Sequence, residues 1–290
     1  MTVGSRSPRL WALIRAGKLR VTALFLLTAW VGYVLSARTL WSDDVLPAMA
    51  GLALTLMGAG ALNQYLERGR DRLMRRTRTR PLVKGDVPGG WVLAAGAIAC
   101  VVGVLVLRAW VGLPAAALAA AGFAYYLLVY TVLAKPRSPW SAVIGGPAGV
   151  FPFLVGWAAG GGRLDLLAVY GSALLFCWSP AHFWALAVAY EEDYARAGIP
   201  TPVSGRGREY ARLLVFLYAA ATVSISFLPA VGGYFGAGYL AVAVVAGAGF
   251  GLAVGRVWRA PSSANALLVH KASGAYLAVI LVAWAVARVW

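Results

Sequence analysis

The stretch GLALTLMGAGALNQYLERGRDRLMRRTRTRPL (Gly51–Leu82) changes character at Asn63. Before it the chain is almost wholly apolar; after it come seven arginines and two carboxylates, Glu67 and Asp71. An α-helix needs about 20 apolar residues to cross a hydrocarbon core of ~30 Å. The apolar run, extended upstream to about residue 45, meets that length and then stops against charge. This is a membrane helix leaving the bilayer, and its reading sets the fold class.

The rest of the chain agrees. Of 290 residues 61% are hydrophobic and 12% charged, and the mean hydropathy is +0.75; soluble domains carry about 25% charged residues. Nine apolar segments are expected, at about 20–37, 45–65, 90–108, 111–134, 140–160, 165–190, 209–230, 233–255 and 267–288. The expected fold is therefore all-α, a polytopic transmembrane bundle of about nine helices, forming a single integral-membrane domain over 1–290 with a short N-terminal arm at about 1–19. The first apolar run is read as a retained span rather than a cleaved signal. Cys100 and Cys177 both fall in apolar spans and are read as core residues.

The formal charge of +16 is assigned to the side facing the cytoplasm, not to nucleic acid. With the N-terminus inside, 22 of the 26 basic residues fall on one side; only Arg38, Arg108, Arg163 and Arg288 fall on the other. The expected topology is N-terminus in and C-terminus out, in a bacterial inner membrane. Both long polar loops, at about 66–89 and 191–208, are then cytoplasmic.

Asn63, Glu67 and Asp71 stand at i, i+4 and i+8, which puts them on one face of a helix end. Two carboxylates and an amide oxygen suit Mg²⁺, which takes a few protein oxygens and completes its shell with substrate phosphate. Arg68, Arg72 and Arg76 are expected as a parallel stripe, followed by Arg80 and Lys84; such side chains bind diphosphate. The basic run also reads as a stop to translocation, but that leaves polar Asn63 and Glu67 at the membrane boundary unexplained. Tyr190-Glu191-Glu192-Asp193-Tyr194 opens the other long cytoplasmic loop. Tyr130, Lys135 and Arg137, at the end of the fourth span, add base on the same side. The economical reading is a metal–diphosphate site at the mouth of an apolar bundle, for a substrate with a charged head and a long apolar tail. His182, flanked by Trp178 and Trp184, is either a packing residue or a contact for a second substrate. His270 is assigned no chemistry.

These residues resemble the UbiA-type membrane prenyltransferases, and within them the protohaem IX farnesyltransferases. Asn63, Asp71, Met74, Arg76, Thr77, Arg80, Pro81 and Leu82 match the family's N-x-x-x-D-x-D-x-D-x-x-M-x-R-T-x-x-R-P-L. VIGGPAGVFPFLVGWAA (Val143–Ala159) and WSPAHFWALAVAYEEDYARAGIP (Trp178–Pro200) resemble two further motifs. Glu67 stands where the family has Asp, Gly69 replaces another acid, and TPVS (Thr201–Ser204) replaces M-L-P. The resemblance implies a UbiA-like bundle that transfers farnesyl from farnesyl diphosphate to a vinyl group of protohaem IX, with addition of water. It implies Mg²⁺ held by Asn63, Glu67 and Asp71 with help from Asp193. Arg72, Arg76, Arg80, Lys84, Lys135 and Arg137 are implied at the diphosphate, Tyr130 at the carbocation or beside Lys135, and His182 and Trp178 at the haem. A haem A-forming oxygenase or oxidase assembly factors are the implied partners. An aromatic or quinone-precursor acceptor, or a non-catalytic haem-handling or transport role, is the alternative.

Overall fold

The computed structural model describes residues 8–290, with side chains from Trp11 onward; the first seven residues of the expected N-terminal arm lie outside the described residues. Among these, the chain forms α1 (Pro8–Ala16), α2 (Leu19–Ala37), α3 (Val45–Leu73), α4 (Pro81–Lys84), α5 (Gly89–Trp110) and α6 (Leu113–Ala124). A π-helical segment, Tyr125–Ala134, continues α6. Then come α7 (Ser141–Ile144), α8 (Gly146–Ala159), α9 (Leu166–Ala189), α10 (Glu191–Arg196), α11 (Pro202–Val231), α12 (Ala237–Arg259) and α13 (Ser263–Val289).

Counting α6 with its π-helical continuation and α7 with α8, nine helices among the described residues are long and apolar enough to cross a membrane. They coincide with the nine expected segments to within about four residues at most ends, the eighth lying four residues later and the ninth starting four earlier, with two larger differences. The second span does not stop near residue 65, because α3 runs unbroken to Leu73 and carries the charged residues with it. The seventh begins at Pro202 rather than 209: Thr201 caps α11 by accepting from Ser204 N–H, as Ser and Thr do at helix starts, and Gly207, at φ 84°, kinks the helix where the apolar run begins.

Small residues let the helices approach. A Cβ on Gly156 of α8 would collide with the Ala29 carbonyl of α2, and one on Gly32 with the Phe153 carbonyl. In a bilayer, where lipid tails are as apolar as leucine, such close backbone packing supplies much of the association. A central cluster joins Tyr33 and Leu35 of α2, Phe153 and Trp157 of α8, Leu174 of α9 and Ile280 and Trp284 of α13. Polar groups in and around this cluster pair across helices: Trp284 Nε1 donates to Tyr239 OH at 2.7 Å, and Tyr276 OH to Ser226 Oγ at 2.8 Å. At the other end the two long polar loops meet, with Met74 packed against Ala197 and Ile199.

Candidate active site

Because α3 continues past the apolar run, Asn63, Glu67 and Asp71 lie on one continuous helical face. All three are buried, at 1%, 4% and 4% exposure. Burying an unpaired carboxylate is costly, and each acceptor here meets a basic side chain from outside α3. Glu67 Oε1 accepts from the Lys135 ammonium. Asp71 Oδ2 accepts from Arg80 at 2.5 Å. Asn63 Oδ1 accepts from the Lys18 ammonium, while its amide donates to Thr131 Oγ1 at 2.9 Å.

Lys18 precedes α2 in the left-handed region, at φ 55°, and also donates to Tyr126 OH at 3.2 Å. Burial, reinforced by the Arg80 charge, brings its pKa down to about 7. Lys135 follows the π-helical segment. Burial works against its charge, but the Glu67 carboxylate outweighs this and its pKa is raised. The π-helical turns aim Tyr126 and Tyr130 at the same place, their rings stacked with centroids 5.8 Å apart; π-helical segments recur at functional sites. The Lys135 ammonium lies 5.8 Å from the Tyr130 ring centroid.

These groups close the polar end of a cavity of about 380 Å³, whose walls include Leu52, Leu56, Phe123, Phe151, Val155 and Leu175. The volume is that of a small-molecule site. Lys18, Asn63, Glu67, Arg76, Arg80 and Lys135 all line it. Three of the basic residues expected at the diphosphate are placed elsewhere. Arg72 and Lys84 are exposed, and Arg137 donates to the carbonyls of Val132 and Leu133 at 2.6 and 3.2 Å. The expected stripe of Arg68, Arg72 and Arg76 does not form. α3 ends at Leu73, Met74 is extended, and Arg76 belongs to the following loop.

Asp193 is buried, at 3% exposure, but both its oxygens are engaged: Oδ2 accepts from the Arg76 N–H at 3.0 Å and Oδ1 from Arg196. Burial raises its pKa, and these bonds with the Arg75 N–H more than offset it, so the net shift is downward. Asp193 thus ties the two polar loops together. Among the described residues no three His, Cys, Asp or Glu side chains form a ready-made metal cluster. The donors nevertheless fit Mg²⁺: Asn63, Glu67 and Asp71 are hard oxygen ligands. Glu67 and Asp71 each bond a protein cation through one oxygen only.

Further along the cavity, the Trp178 and His182 rings stack 4.4 Å apart, and His182 and His270 lie 3.9 Å apart. Trp178 Nε1 donates to the Ser273 carbonyl at 2.8 Å. Sequence reasoning missed three cavity residues: Lys18, Tyr126 and His270. His270, assigned no chemistry, lines the cavity beside His182. For Lys18 the one available signal was a basic residue directly before an apolar run.

Residues 25–277 match the UbiA prenyltransferase family. The protoheme IX farnesyltransferase of Acidovorax sp. (strain JS42) is 36% identical over 283 residues, covering 96% of this chain and 92% of that protein. That of Thiobacillus denitrificans is 38% identical over 239 residues, 80% of this chain and 78% of that one. That of Roseiflexus sp. (strain RS-1) is 38% identical over 269 residues, 93% of this chain; the match spans only half of that longer relative. Among solved structures, a digeranylgeranylglyceryl phosphate synthase superposes with TM-score 0.78 at 18% identity, covering 97% of this chain and 99% of that one. A UbiA homologue from Archaeoglobus fulgidus, bound to DMAPP and Mg²⁺, gives 0.73 at 19%, covering 96% and 98%. The two structures carry the fold, and the family match with the sequence relatives carries the kinship: this chain belongs to the UbiA prenyltransferase family.

Proposed function

We propose that this chain is a protohaem IX farnesyltransferase of the bacterial inner membrane, forming haem O from protohaem IX, farnesyl diphosphate and water. The observation that carries this reading is the apolar cavity whose polar end is lined by buried Asn63 and Glu67 with Lys18, Lys135 and Arg80, the last bonded to buried Asp71 one turn further along α3. That is the chemistry a diphosphate head on an apolar tail requires, and the names of the sequence relatives supply the acceptor. The whole chain acts as one membrane domain with its N-terminus in the cytoplasm and its C-terminus outside, and its expected partners are oxidase assembly factors or a haem A-forming oxygenase.

The diphosphate sits at the polar end, with the farnesyl chain against Phe123, Phe151 and Leu175. Asn63, Glu67 and Asp71 would hold Mg²⁺, which when bound supplies positive charge to the diphosphate oxygens. As the allylic C–O bond breaks, its electron pair leaves with the diphosphate. Arg76, Arg80, Lys135 and Lys18 already stand at that end of the cavity, and those bonded to Asp71, Glu67 and Asn63 exchange these partners for the diphosphate and stabilise its developing charge. Asp193 contributes by fixing the Arg76 backbone. The faces of Tyr126 and Tyr130 stabilise the allylic cation, and the apolar walls keep water away while it exists. The vinyl π-electrons of protohaem form the new C–C bond. Water then captures the resulting cation and loses a proton, giving the hydroxyethylfarnesyl group. His182 and Trp178 contact the tetrapyrrole.

The test is expression in a bacterial membrane lacking its own haem O synthase, with extracted haems separated and weighed. A product at protohaem plus farnesyl plus water supports the reading. Unchanged protohaem, from folded protein supplied with farnesyl diphosphate, overturns it and moves the acceptor to an aromatic ring.

A further inference from the structure

The geometry points to His182 as an axial ligand for the iron of the tetrapyrrole acceptor, held in the required tautomer and orientation by Ser273 and His270 of α13. The inference rests on the acceptor reading above and goes beyond it in naming the bonding atom and the two residues that position it.

The tautomer follows from proton counting. Ser273 is fully buried, and its Oγ donates to the His270 carbonyl at 2.8 Å. A hydroxyl has one proton, so toward His182 Nδ1, also at 2.8 Å, Ser273 can only accept. His182 Nδ1 therefore carries a hydrogen, and in the neutral ring Nε2 carries the lone pair. His270 is fixed in the same way, because its Nδ1 faces the His182 carbonyl at 3.1 Å and a carbonyl only accepts. The two histidines and Ser273 form one unit linking α9 to α13.

The orientation follows from the rings. Trp178 stacks on His182 at 4.4 Å, the His270 ring lies tilted against it at 3.9 Å, and Phe183 meets it edge-on at 5.5 Å. The stacked indole covers a face of the imidazole, and the tilted His270 ring and the edge-on Phe183 ring crowd it further. The edge carrying Nε2 is what remains to meet a ligand. Nε2 is also not sealed in: among the described residues, the buried side-chain N and O atoms without a partner belong to Ser36, Gln64 and Arg212. A histidine that donates its Nδ1–H to a fixed neighbour and keeps Nε2 free has the arrangement of metal-ligating histidines, and a single histidine is a common haem-iron ligand.

The tautomer also separates two contacts with a tetrapyrrole. A propionate offers only acceptors and finds no proton on Nε2; iron finds a lone pair. His182 is thus the residue touching the acceptor, and Ser273 and His270 are positioning residues.

The experiment titrates the detergent-solubilised wild-type protein with ferric protohaem and with metal-free protoporphyrin IX, following the optical spectrum, with farnesyl transfer assayed separately. The expected result is a nitrogen-ligated haem spectrum and binding of protohaem at least tenfold tighter than of the metal-free porphyrin. Replacing His182→Ala removes that spectrum, and added imidazole restores it. Ser273→Ala weakens haem binding by about 10–100-fold, the usual effect of deleting a metal ligand's hydrogen-bond partner, while Ser273→Thr, which keeps the hydroxyl, recovers part of it. Equal affinity for the two porphyrins, a measurement that needs no variant, overturns the inference, as does a nitrogen-ligated spectrum surviving in His182→Ala. Farnesylation of both porphyrins with the same KM overturns iron ligation while leaving the proposed function standing. A nitrogen-ligated complex in a protein that makes no farnesylated product overturns the function and leaves the ligation.

Discussion

The two polar regions of the cavity are built on opposite rules. Along the α3 face that meets the cavity, the three acceptors are each opposed by a basic side chain: Glu67 by Lys135, Asp71 by Arg80, and Asn63 by Lys18. Around His182, every bond is neutral and runs to α13, through Ser273 and a main-chain carbonyl. Charges paired with one another can exchange partners when a polyanion and a cation arrive, because the site's total charge is what has to balance. A neutral network of single-proton bonds has one low-energy arrangement and holds its members still. The first region is suited to a head group that enters and leaves as an ion, the second to orienting a flat acceptor.

The comparison breaks most visibly if a charge is removed. Asp71→Ala deletes a ligand oxygen and leaves Arg80 without its partner; farnesyl transfer should fall by about 10³-fold, on the scale of losing one preorganised electrostatic contact. Chelating divalent metal should do at least as much. Product analysis by mass checks both, and turnover persisting in chelator would remove the metal from the mechanism.

A second test asks whether the pairs are interchangeable. Lys135→Met leaves Glu67 buried and unpaired, which in a fully buried pair costs about 3–5 kcal/mol. Lys135 keeps 21% of its side chain exposed, so about 2–3 kcal/mol is expected here, or roughly 5–10 °C in apparent Tm. Adding Glu67→Gln should recover more than half of that loss. A double variant no more stable than the single one would show that Lys135 acts through other contacts.

A third test sharpens the contrast through pH. Lys18, lowered to about 7, is charged below that value and largely neutral above it. Binding diphosphate needs the charged form, so above pH 7 the site must take up a proton. The KM for farnesyl diphosphate should then rise with pH through about 7, by up to tenfold per unit. The slope should flatten in Lys18→Arg, whose guanidinium stays charged. An unchanged slope in that variant would assign the titration to another group.

How far these features could be read from sequence depends on their range. The nine spans were legible because each is one unbroken apolar run, and Asn63, Glu67 and Asp71 because a single helix carries them. Their partners were not. Lys18 lies 45 residues from Asn63, and Lys135 lies 68 from Glu67; spacing on one helix says nothing about such distances. Lys135 was picked out as base on the same side, without its partner. Among the arginines, the sequence showed a charge run but not where α3 would end. Stopping at Leu73 sends Arg76 and Arg80 to the cavity and leaves Arg72 in solvent. His270 needed α9 and α13 side by side before it meant anything.

The same geometry decides what Gly69 is worth. The family pattern that the sequence resembles has an acid there, which would add a third carboxylate to α3 between Glu67 and Asp71. Gly69 is exposed, however, and a Cβ added to it meets nothing within 4 Å. Two positions from both Glu67 and Asp71, it is turned about 200° around α3 from each, on the face away from the cavity. A carboxylate there lies outside the α3 acceptor row and, near Arg68 and Arg70, would form only solvent-screened pairs of about 0.2–1 kcal/mol. Gly69→Asp should therefore change kcat and the KM for farnesyl diphosphate by less than about twofold, the smallest effect expected of any charge added to this helix. A tenfold gain in activity would mean that α3 rotates or unwinds when substrate binds and brings position 69 inward. The pairing of Glu67 with Lys135 and Asp71 with Arg80 would then describe only the resting site.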